Sequence, residues 1–566
     1  MSIIDWVVLL LTLLGIAVYG IYKSRGTKNI EGYLLADRKL PWYHVGFSVM
    51  ATQASAITFL SAPGQAFSDG MRFVQFYFGL PLAMVVLCIT FIPAFHKLNV
   101  YTAYEYLEKR FDLKTRSLTA FLFLLQRGLS TGITIYAPAI VLSTILKIDI
   151  TYTTVLMGGI VILYTISGGT KAVSFTQLFQ MGVIFSGLIV AAILVVYKLP
   201  YDVSFSDSLH IAGSLGKMNL IDTTFDWNNR YNIWSGIIGG FFLQLSYFGT
   251  DQSQVGRYLT GSSVTQSRLG LIMNGLIKIP MQFFILMIGI LVFTFYQYHE
   301  PPVFFNPVET SKIEQSKYNE DYQKIKKDYT DLHHEKLTSL NAFVAALHSD
   351  DESKIKIAKL QLNQAEHKLQ ACRKGATDLM LKHNAKADVN DSNYVFLTFV
   401  MNFLPVGMIG LIIAIIFLAS MGSTASGLNS LAGTFIVDFY KRLIKKDNQE
   451  INYLKASRWA TASWGVFCII VALYASRLGN LIEAVNILGS LFYGTILGIF
   501  LVAFYVKHVK AQAVFIAACL AEVFIIVAWQ LDLTAFLWLN VLGCILVVGM
   551  AILLQMLLPS KKEIIE

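Results

Sequence analysis

Three charged side chains stand inside long apolar stretches, where a charge is costly and therefore marks a candidate for function: Arg127, Asp251 and Lys278. Arg127 lies in Leu124-Leu125-Gln126-Arg127-Gly128-Leu129-Ser130-Thr131-Gly132, Asp251 follows Gly249-Thr250, and Lys278 precedes Pro280. A guanidinium is a planar, two-pronged donor that suits a carboxylate. A structural pairing of Arg127 with a carbonyl or carboxylate fits equally, although no carboxylate in a neighbouring apolar run is an obvious partner. Two further stretches join small residues to hydroxyls: Ser48-Val49-Met50-Ala51-Thr52-Gln53-Ala54-Ser55-Ala56-Ile57-Thr58-Phe59, closed by Pro63-Gly64, and Ala419-Ser420-Met421-Gly422-Ser423-Thr424-Ala425-Ser426-Gly427-Leu428-Asn429-Ser430. Small residues let helices approach closely, and hydroxyls with unwound carbonyls can replace the water around a sodium ion. Each stretch taken alone also fits plain helix packing. In a third stretch, 239–252, mid-run glycines precede polar residues, the mark of a discontinuous helix lining a central site. It stands five runs after the polar stretch 48–64, and such a pair in corresponding positions points to an inverted-repeat transporter.

The elements that must position these residues are membrane-spanning helices. Hydrophobic residues make up 55% of the 566 and charged residues only 14%, far from the balance of soluble domains. Thirteen apolar runs are each long enough to cross a hydrocarbon core: 2–22, 43–67, 72–96, 117–146, 151–168, 173–199, 233–256, 265–298, 393–427, 453–477, 480–505, 511–530 and 533–557. Backbone groups in lipid must bond within their own segment, so the runs are helices and the fold class is an all-α polytopic membrane protein. The first run has no Lys or Arg before Lys23, unlike a cleavable signal, and reads as a retained span. Lys23, Arg25, Lys28, Arg38, Lys39, Lys97, Lys109, Arg110, Lys114, Arg116, Lys441, Arg442, Lys445, Lys446, Lys455 and Arg458 fall in connections of one parity, against scattered Arg72, Lys147, Lys198, Lys217, Arg230 and Arg477 in the other. The expectation is an N-terminus outside and a cytoplasmic C-terminus carrying Lys561 and Lys562, in a plasma (inner) membrane. The net charge of +9 is then an orientation signal, and nucleic-acid binding has no support. Four of the five cysteines lie within runs, which leaves no disulfide framework or metal cluster.

Residues 299–392 are polar. Tyr318, Tyr322, Ile325, Tyr329 and Leu332, and again Leu362, Ala365, Leu369, Cys372, Ala376 and Leu379, repeat at spacings of three and four, a narrow apolar stripe on each of two helices. An antiparallel hairpin standing off the membrane on the outer side is predicted, with a protein partner as one role and a solvated insertion without a function of its own as the other.

Over 6–504 the sequence resembles the sodium:solute symporter family. The carrying stretches are 51–70, Tyr104-Glu105-Tyr106-Leu107-Glu108-Lys109-Arg110-Phe111, Ile135-Tyr136-Ala137-Pro138-Ala139, 164–173, Gly249-Thr250-Asp251-Gln252 with Arg257-Tyr258, and 419–430. The order and spacing of these stretches are specific, and two of them lean toward the iodide and monocarboxylate branch. The resemblance implies a leucine-transporter-like core of two inverted five-helix repeats with solute and ion at the midplane. The layout it implies is 1–42 for the first span and loop, 43–200 for repeat one, 201–298 for the start of repeat two, 299–392 for the insertion, 393–506 for the rest of repeat two, and 507–566 for two last spans and a tail.

By position, the family's common sodium site falls on the carbonyls of Ala51, Ala54 and Ala419 and the hydroxyl of Ser423. Gly422 stands where a serine is usual, leaving water or Thr424 to fill in. A second site needs an aspartate where this chain has Gln177, so one sodium per solute is expected. The positions matching the solute pocket are Gln53, Ser55 and Thr58 in span two, Phe76 and Tyr77 in span three, Gln244 and Tyr247 in span seven, and Asn486 in span eleven. Arg127 corresponds to an arginine that holds the substrate carboxylate in the sialic acid branch, while Asp251 and Lys278 read as structural or gating groups near the inner face. The function implied is sodium-coupled symport of a small polar solute, first an organic anion such as sialic acid or a monocarboxylate, and otherwise a sugar or polyol. Two rival classes remain: a transporter-derived sensor, which would need a signalling domain where only nine residues follow the last run, and a polytopic membrane enzyme, for which no metal-ligand or nucleophile–base spacing is found.

Overall fold

The computed structural model describes residues 1–24, 30–200, 203–349, 351–385, 387–444, 450–475 and 479–558. Of the orientation residues, Arg25, Lys28, Lys445, Lys446, Arg477, Lys561 and Lys562 lie outside the described residues. Among those described, regular structure is helical throughout, with a single bridge between Leu40 and Gly261. Ten of these helices are long and apolar enough to cross a membrane.

Span one is Ile3–Ser24, and its Asp5 carboxylate accepts the Gly407 N–H at 2.6 Å and the Gly410 N–H at 3.3 Å, tethering it to the start of span nine. Span two is broken: Trp42–Gln53 ends, Ala54 and Ser55 leave helical geometry, and Ala56–Asp69 resumes. Gly70, with φ +78°, ends it in a conformation that a side chain would strain. A 3-10 segment, Gly70–Tyr77, follows, so Phe76 and Tyr77 precede the helix of span three, which runs from Leu80 to Leu98 through a π segment, Leu87–Phe91. Span four is Leu113–Leu146.

The runs expected at 151–168 and 173–199 form one helical stretch, Ile150–Tyr197. It bends sharply, because the Tyr164 and Thr176 hydroxyls, twelve residues apart, lie within 2.8 Å, whereas a straight helix would rise about 18 Å over that distance. Its two legs serve as spans five and six. Span seven opens with a π segment, Ser235–Gly239, continues as Gly240–Thr250, breaks at Asp251 and ends as Gln252–Tyr258. Span eight is Val264–Tyr298.

The expected ninth run, 393–427, is two elements. Ser392–Phe403 is a separate short helix, Leu404 before Pro405 is extended at ψ 149°, and Gly407 turns at φ +88° before Met408–Thr434 begins. A residue before proline avoids the helical region, and a positive φ suits glycine, so the chain interrupts itself there. Glu450–Tyr474, Leu481–Tyr505, Ala511–Gln530 and Phe536–Leu557 complete the bundle as spans ten to thirteen. Burial ranks the spans: 89% of the apolar window of span nine is enclosed against 18% in span one, which puts span nine at the centre.

The insertion folds as a short helix, Pro307–Glu314, followed by two long ones, Asn319–His348 and Glu352–His383. Their stripes meet, with Tyr322, Tyr329, Leu369, Ala376 and Met380 buried and Tyr318, Ile325, Leu332, Cys372 and Leu379 packed against them. The hairpin does not stand free. Leu340, Phe343 and Leu362 pack on Val203 and on Ile211 of the short helix Phe205–Ser214, and Arg373 pairs with Asp391 beside Ser392–Phe403. Apolar residues on both surfaces draw it down onto the bundle.

Candidate solute cavity and cation crossing

The break in span two frees two carbonyls. In a continuous helix the Ser55 N–H would bond Ala51 and the Thr58 N–H would bond Ala54. Here Ser55 donates to the Gln53 carbonyl at 3.1 Å and Thr58 to the Ser55 carbonyl at 2.9 Å, so the Ala51 and Ala54 oxygens lose those helical donors. Span nine crosses at this level, where the Thr52 and Ser426 hydroxyls lie 3.1 Å apart. Spans of opposite parity run antiparallel, so moving from that contact toward Ser55 on one is moving toward Ser423 and Ala419 on the other. The Ser423 hydroxyl parks its proton on the Ala419 and Ser420 carbonyls at 2.9 and 3.2 Å, which leaves its oxygen lone pairs free to face a cation. Two carbonyls without helical donors and a serine oxygen are hard ligands of the kind an alkali cation takes. Thr424 does not fill the place of the missing serine at 422, because its hydroxyl turns to Thr134 at 3.1 Å.

One turn beyond, Gln177 of span six is fully buried and knits spans two, six and nine together. Its Nε2 donates to the Thr52 hydroxyl at 3.3 Å, the Gly422 carbonyl at 3.3 Å and the Ser426 hydroxyl at 3.1 Å, while its Oε1 accepts from Ser48 at 2.6 Å. A neutral carboxamide thus occupies the oxygen atoms of Thr52, Gly422 and Ser426.

All nine solute positions named from the sequence line one cavity of about 650 Å3: Gln53, Ser55, Thr58, Phe76, Tyr77, Arg127, Gln244, Tyr247 and Asn486. Its wall also includes Gln126, Ser130, Gly489 and Tyr493, which were not anticipated. The spacing of Asn486, Gly489 and Tyr493, three and then four residues, puts them on one face of span eleven, a signal the sequence carried. Among the described residues, five buried polar atoms on this wall have no hydrogen-bond partner: Gln53 Oε1, Gln126 Oε1, Arg127 Nε, and both the Oε1 and Nε2 of Gln244. Each such atom costs about 1–3 kcal/mol unless a solute or water satisfies it.

Arg127 has the carboxylate partner that was not obvious in the sequence. Its Nη2 bonds Asp251 Oδ2 and the Tyr493 hydroxyl, the latter at 3.0 Å, and Tyr493 itself donates to Asp251 at 2.8 Å. Asp251 reaches Arg127 because it stands at the break of span seven, where its Oδ1 caps Ser253 N–H at 2.8 Å. The Arg127 guanidinium also sits 5.5 Å from the Tyr247 ring centroid, and Tyr247 accepts from Gln254 at 2.6 Å. Asp251 is therefore buried directly behind the cavity wall, where it holds Arg127 and Tyr493.

Lys278 lies mid-way along span eight, its Nζ 5.8 Å from the ring centroid of the cavity residue Tyr77, and not near a helix end. With Asn274 and Gln282, one turn either side, it forms a fully buried polar ladder whose side-chain N and O atoms lack hydrogen-bond partners among the described residues. The spacing of four was legible, but only Lys278 stood out, because it alone carries charge. Among the described residues no cluster of His, Cys, Asp and Glu could hold a metal ion.

The family model described as "Sodium:solute symporter family" matches residues 33–322 and 371–520, well over half of the chain. The chain belongs to the sodium:solute symporter family. This places it among membrane transporters and not among enzymes, as a multi-pass protein that carries a small solute. The human sodium/iodide cotransporter is 32% identical over 297 residues, 52% of this chain and 45% of that protein, so the chain spans about half the length of this curated relative. The sodium/sialic acid symporter of Aliivibrio fischeri is 26% identical over 558 residues, 96% of this chain and 91% of that one. A solved substrate-bound, outward-open state of a Na+-coupled sialic acid symporter superposes with a TM-score of 0.75 at 23% identity, covering 99% of each chain, and fixes the fold as the leucine-transporter-like one.

Proposed function

We propose that the chain couples sodium influx to uptake of a small organic anion, with sialic acid or a monocarboxylate as first choice. The observation that carries this reading is the single cavity holding Arg127 and five partnerless polar atoms, beside a break with two carbonyls released from helical bonding. Relatives named for sodium/sialic acid symport align along nearly the whole chain and add support. The sodium ligands are the carbonyls of Ala51, Ala54 and Ala419 and the hydroxyl of Ser423, forming one site. The solute groups are the nine cavity residues, with the solute carboxylate taking the free Nε edge of Arg127.

A cation at the crossing braces span two in the form that turns Ser55 and Thr58 to the cavity. Coupling follows because sodium binds that form better than the alternative one. The repeats lie at 43–200 and at 201–298 with 393–506, flanked by 1–42 and 507–566 and interrupted by 299–392. The same reading places the protein in the plasma (inner) membrane, N-terminus outside and C-terminus cytoplasmic, which makes the hairpin extracellular and its exposed face the place for a protein partner.

One observation favours a second reading. Asp251 already neutralises Arg127, so a neutral sugar or polyol, hydrogen-bonded by Gln53, Gln244 and Asn486, also suits the cavity. Uptake of labelled sialic acid, lactate and glucose into proteoliposomes, with and without an inward sodium gradient, decides between them. Sodium-driven accumulation of a carboxylate is expected. Accumulation of glucose alone transfers the assignment to the second reading, and accumulation of none contradicts both.

A further inference from the structure

We propose that the hairpin builds a second binding chamber, for a small hydroxylated carboxylate, against the ends of spans two and eight. A cavity of about 1030 Å3 lies between these elements, walled by Ser68, Lys217, Gln297, Lys336, Glu366 and Arg373. It is distinct from the central cavity, with which it shares no residue. From Ser55 to Ser68 along span two is about 20 Å of helix. The chamber opens to solvent past the exposed His367 and Gln370. Lys336 and Glu366 come from 323–370, the stretch that the family model leaves unmatched, whereas Ser68, Lys217, Gln297 and Arg373 lie within the matched residues, so the chamber forms where the hairpin meets the transporter body.

The charges facing it are unevenly satisfied. Lys336 bonds Glu366 at 2.5 Å, Gln370 bonds the other Glu366 oxygen at 2.7 Å, and Arg373 is held by Asp391 at 2.6 Å. Asp69, at the end of span two, is held by Gln65 at 2.5 Å. Lys217 is the exception. Its ammonium donates to the Ser68 carbonyl and lies 5.1 Å from the Phe293 ring centroid, with no carboxylate in ion-pair contact among the described residues. Two neighbouring side chains that line the chamber, Gln297 at 3% exposure and Tyr296 at 2%, each keep an oxygen without a hydrogen-bond partner among the described residues: Gln297 Oε1, whose own amide nitrogen donates to the Phe293 carbonyl, and the Tyr296 hydroxyl. An ammonium, an acceptor oxygen and a phenol hydroxyl are complementary to a carboxylate that also carries hydroxyl or amide donors. A neutral apolar compound satisfies none of the three.

The ligand class rests on the reading of the transported solute as an organic anion, whereas the chamber and its partnerless groups do not. Equilibrium dialysis of the purified full chain against labelled N-acetylneuraminate and, separately, lactate, with and without sodium, tests the proposal. Two sites per chain are expected with at least one probe, one dependent on sodium and one not. Arg127→Ala removes the sodium-dependent site alone, whereas Lys217→Gln and Gln297→Leu each weaken the sodium-independent site tenfold or more and leave the other unchanged. The intact sodium-dependent site reports that these variants are folded. If Lys217→Gln loses both sites, Lys217→Arg must restore them, and failure to do so overturns the proposal. A parent chain with only the sodium-dependent site, binding of neither probe, or a sodium-independent site indifferent to both substitutions also overturns it. Loss of sodium-dependent binding in the parent chain, with the second site present, contradicts only the transport reading.

Discussion

Two carboxylates compete for one guanidinium at Arg127: that of Asp251, already bonded, and that of the proposed solute. Asp251→Asn removes the resident competitor. The expected result is a rise of about tenfold in apparent affinity for a carboxylate solute, equivalent to about 1.4 kcal/mol. The solute-free protein should lose about 3 kcal/mol of stability, since a buried cation is left without its partner. Isothermal titration and thermal unfolding check both, and an unchanged carboxylate affinity shows that the solute does not use Arg127. Ser423→Ala, which deletes a cation ligand, should raise the half-saturating sodium concentration about tenfold while leaving solute binding at saturating sodium close to normal. Arg127→Ala should do the reverse, so equal loss of solute binding by both at saturating sodium refutes the division of roles. Much at this scale was readable from the sequence, because Gln53, Ser55, Thr58 and Arg127 stand out as polar residues in apolar runs. The Arg127–Asp251 pair was not, since 124 residues separate them and only the crossing of spans four and seven joins them.

Gln177 and the break beside it carry the argument at the level of elements. Replacing Gln177 with Leu strands the polar groups of Ser48, Thr52 and Ser426 at a three-helix contact, and should cost about 1–3 kcal/mol in thermal unfolding. No measurable loss means that the carboxamide does not hold the spans together. At the base of the hairpin, burial raises the Asp388 carboxyl from its ordinary 3.8 to about 7, helped by Glu309 and Asp391 and opposed by the Asn390 N–H and Lys312. The folded state then binds this proton more tightly than the unfolded chain. Its stabilising effect is present below pH 4 and is lost as pH rises toward 7. Asp388→Asn should therefore raise the melting temperature at pH 8 and leave it unchanged near pH 4, and equal shifts at both contradict the assignment. The sequence marked the breaks unevenly. Gly249-Thr250-Asp251 signalled the one in span seven, and Pro405 and Gly407 signalled the start of span nine but were read through. The interruption at Ala54–Ser55 has no proline or glycine at the site, and only the polar character of 48–64 hinted at it. The bend in Ile150–Tyr197 depends on packing across the bundle, with Tyr164 and Thr176 brought together, and no local residue pattern predicts such a contact.

The helices around the nearly enclosed ninth span give the molecule one place where the proposed ion and solute can act on the same element: the broken second span, whose break frees carbonyls and whose Gln53, Ser55 and Thr58 line the cavity. With Gln177 filling the neighbouring oxygen cluster, we propose that this place holds a single cation. A monovalent anion moving with one sodium carries no net charge, so its uptake should not respond to an imposed membrane potential, whereas a neutral solute would gain about 2.3 kcal/mol per 100 mV. The hydrophobic runs and their spacing made this architecture legible from the start. The docking of the hairpin was not, because stripes that pair two helices do not say what else those helices touch. Parallel measurement of labelled sodium and labelled solute influx in the same proteoliposomes bears most directly on the coupling. One sodium per solute is expected, and a ratio of two, or solute influx at full rate without sodium, contradicts the account.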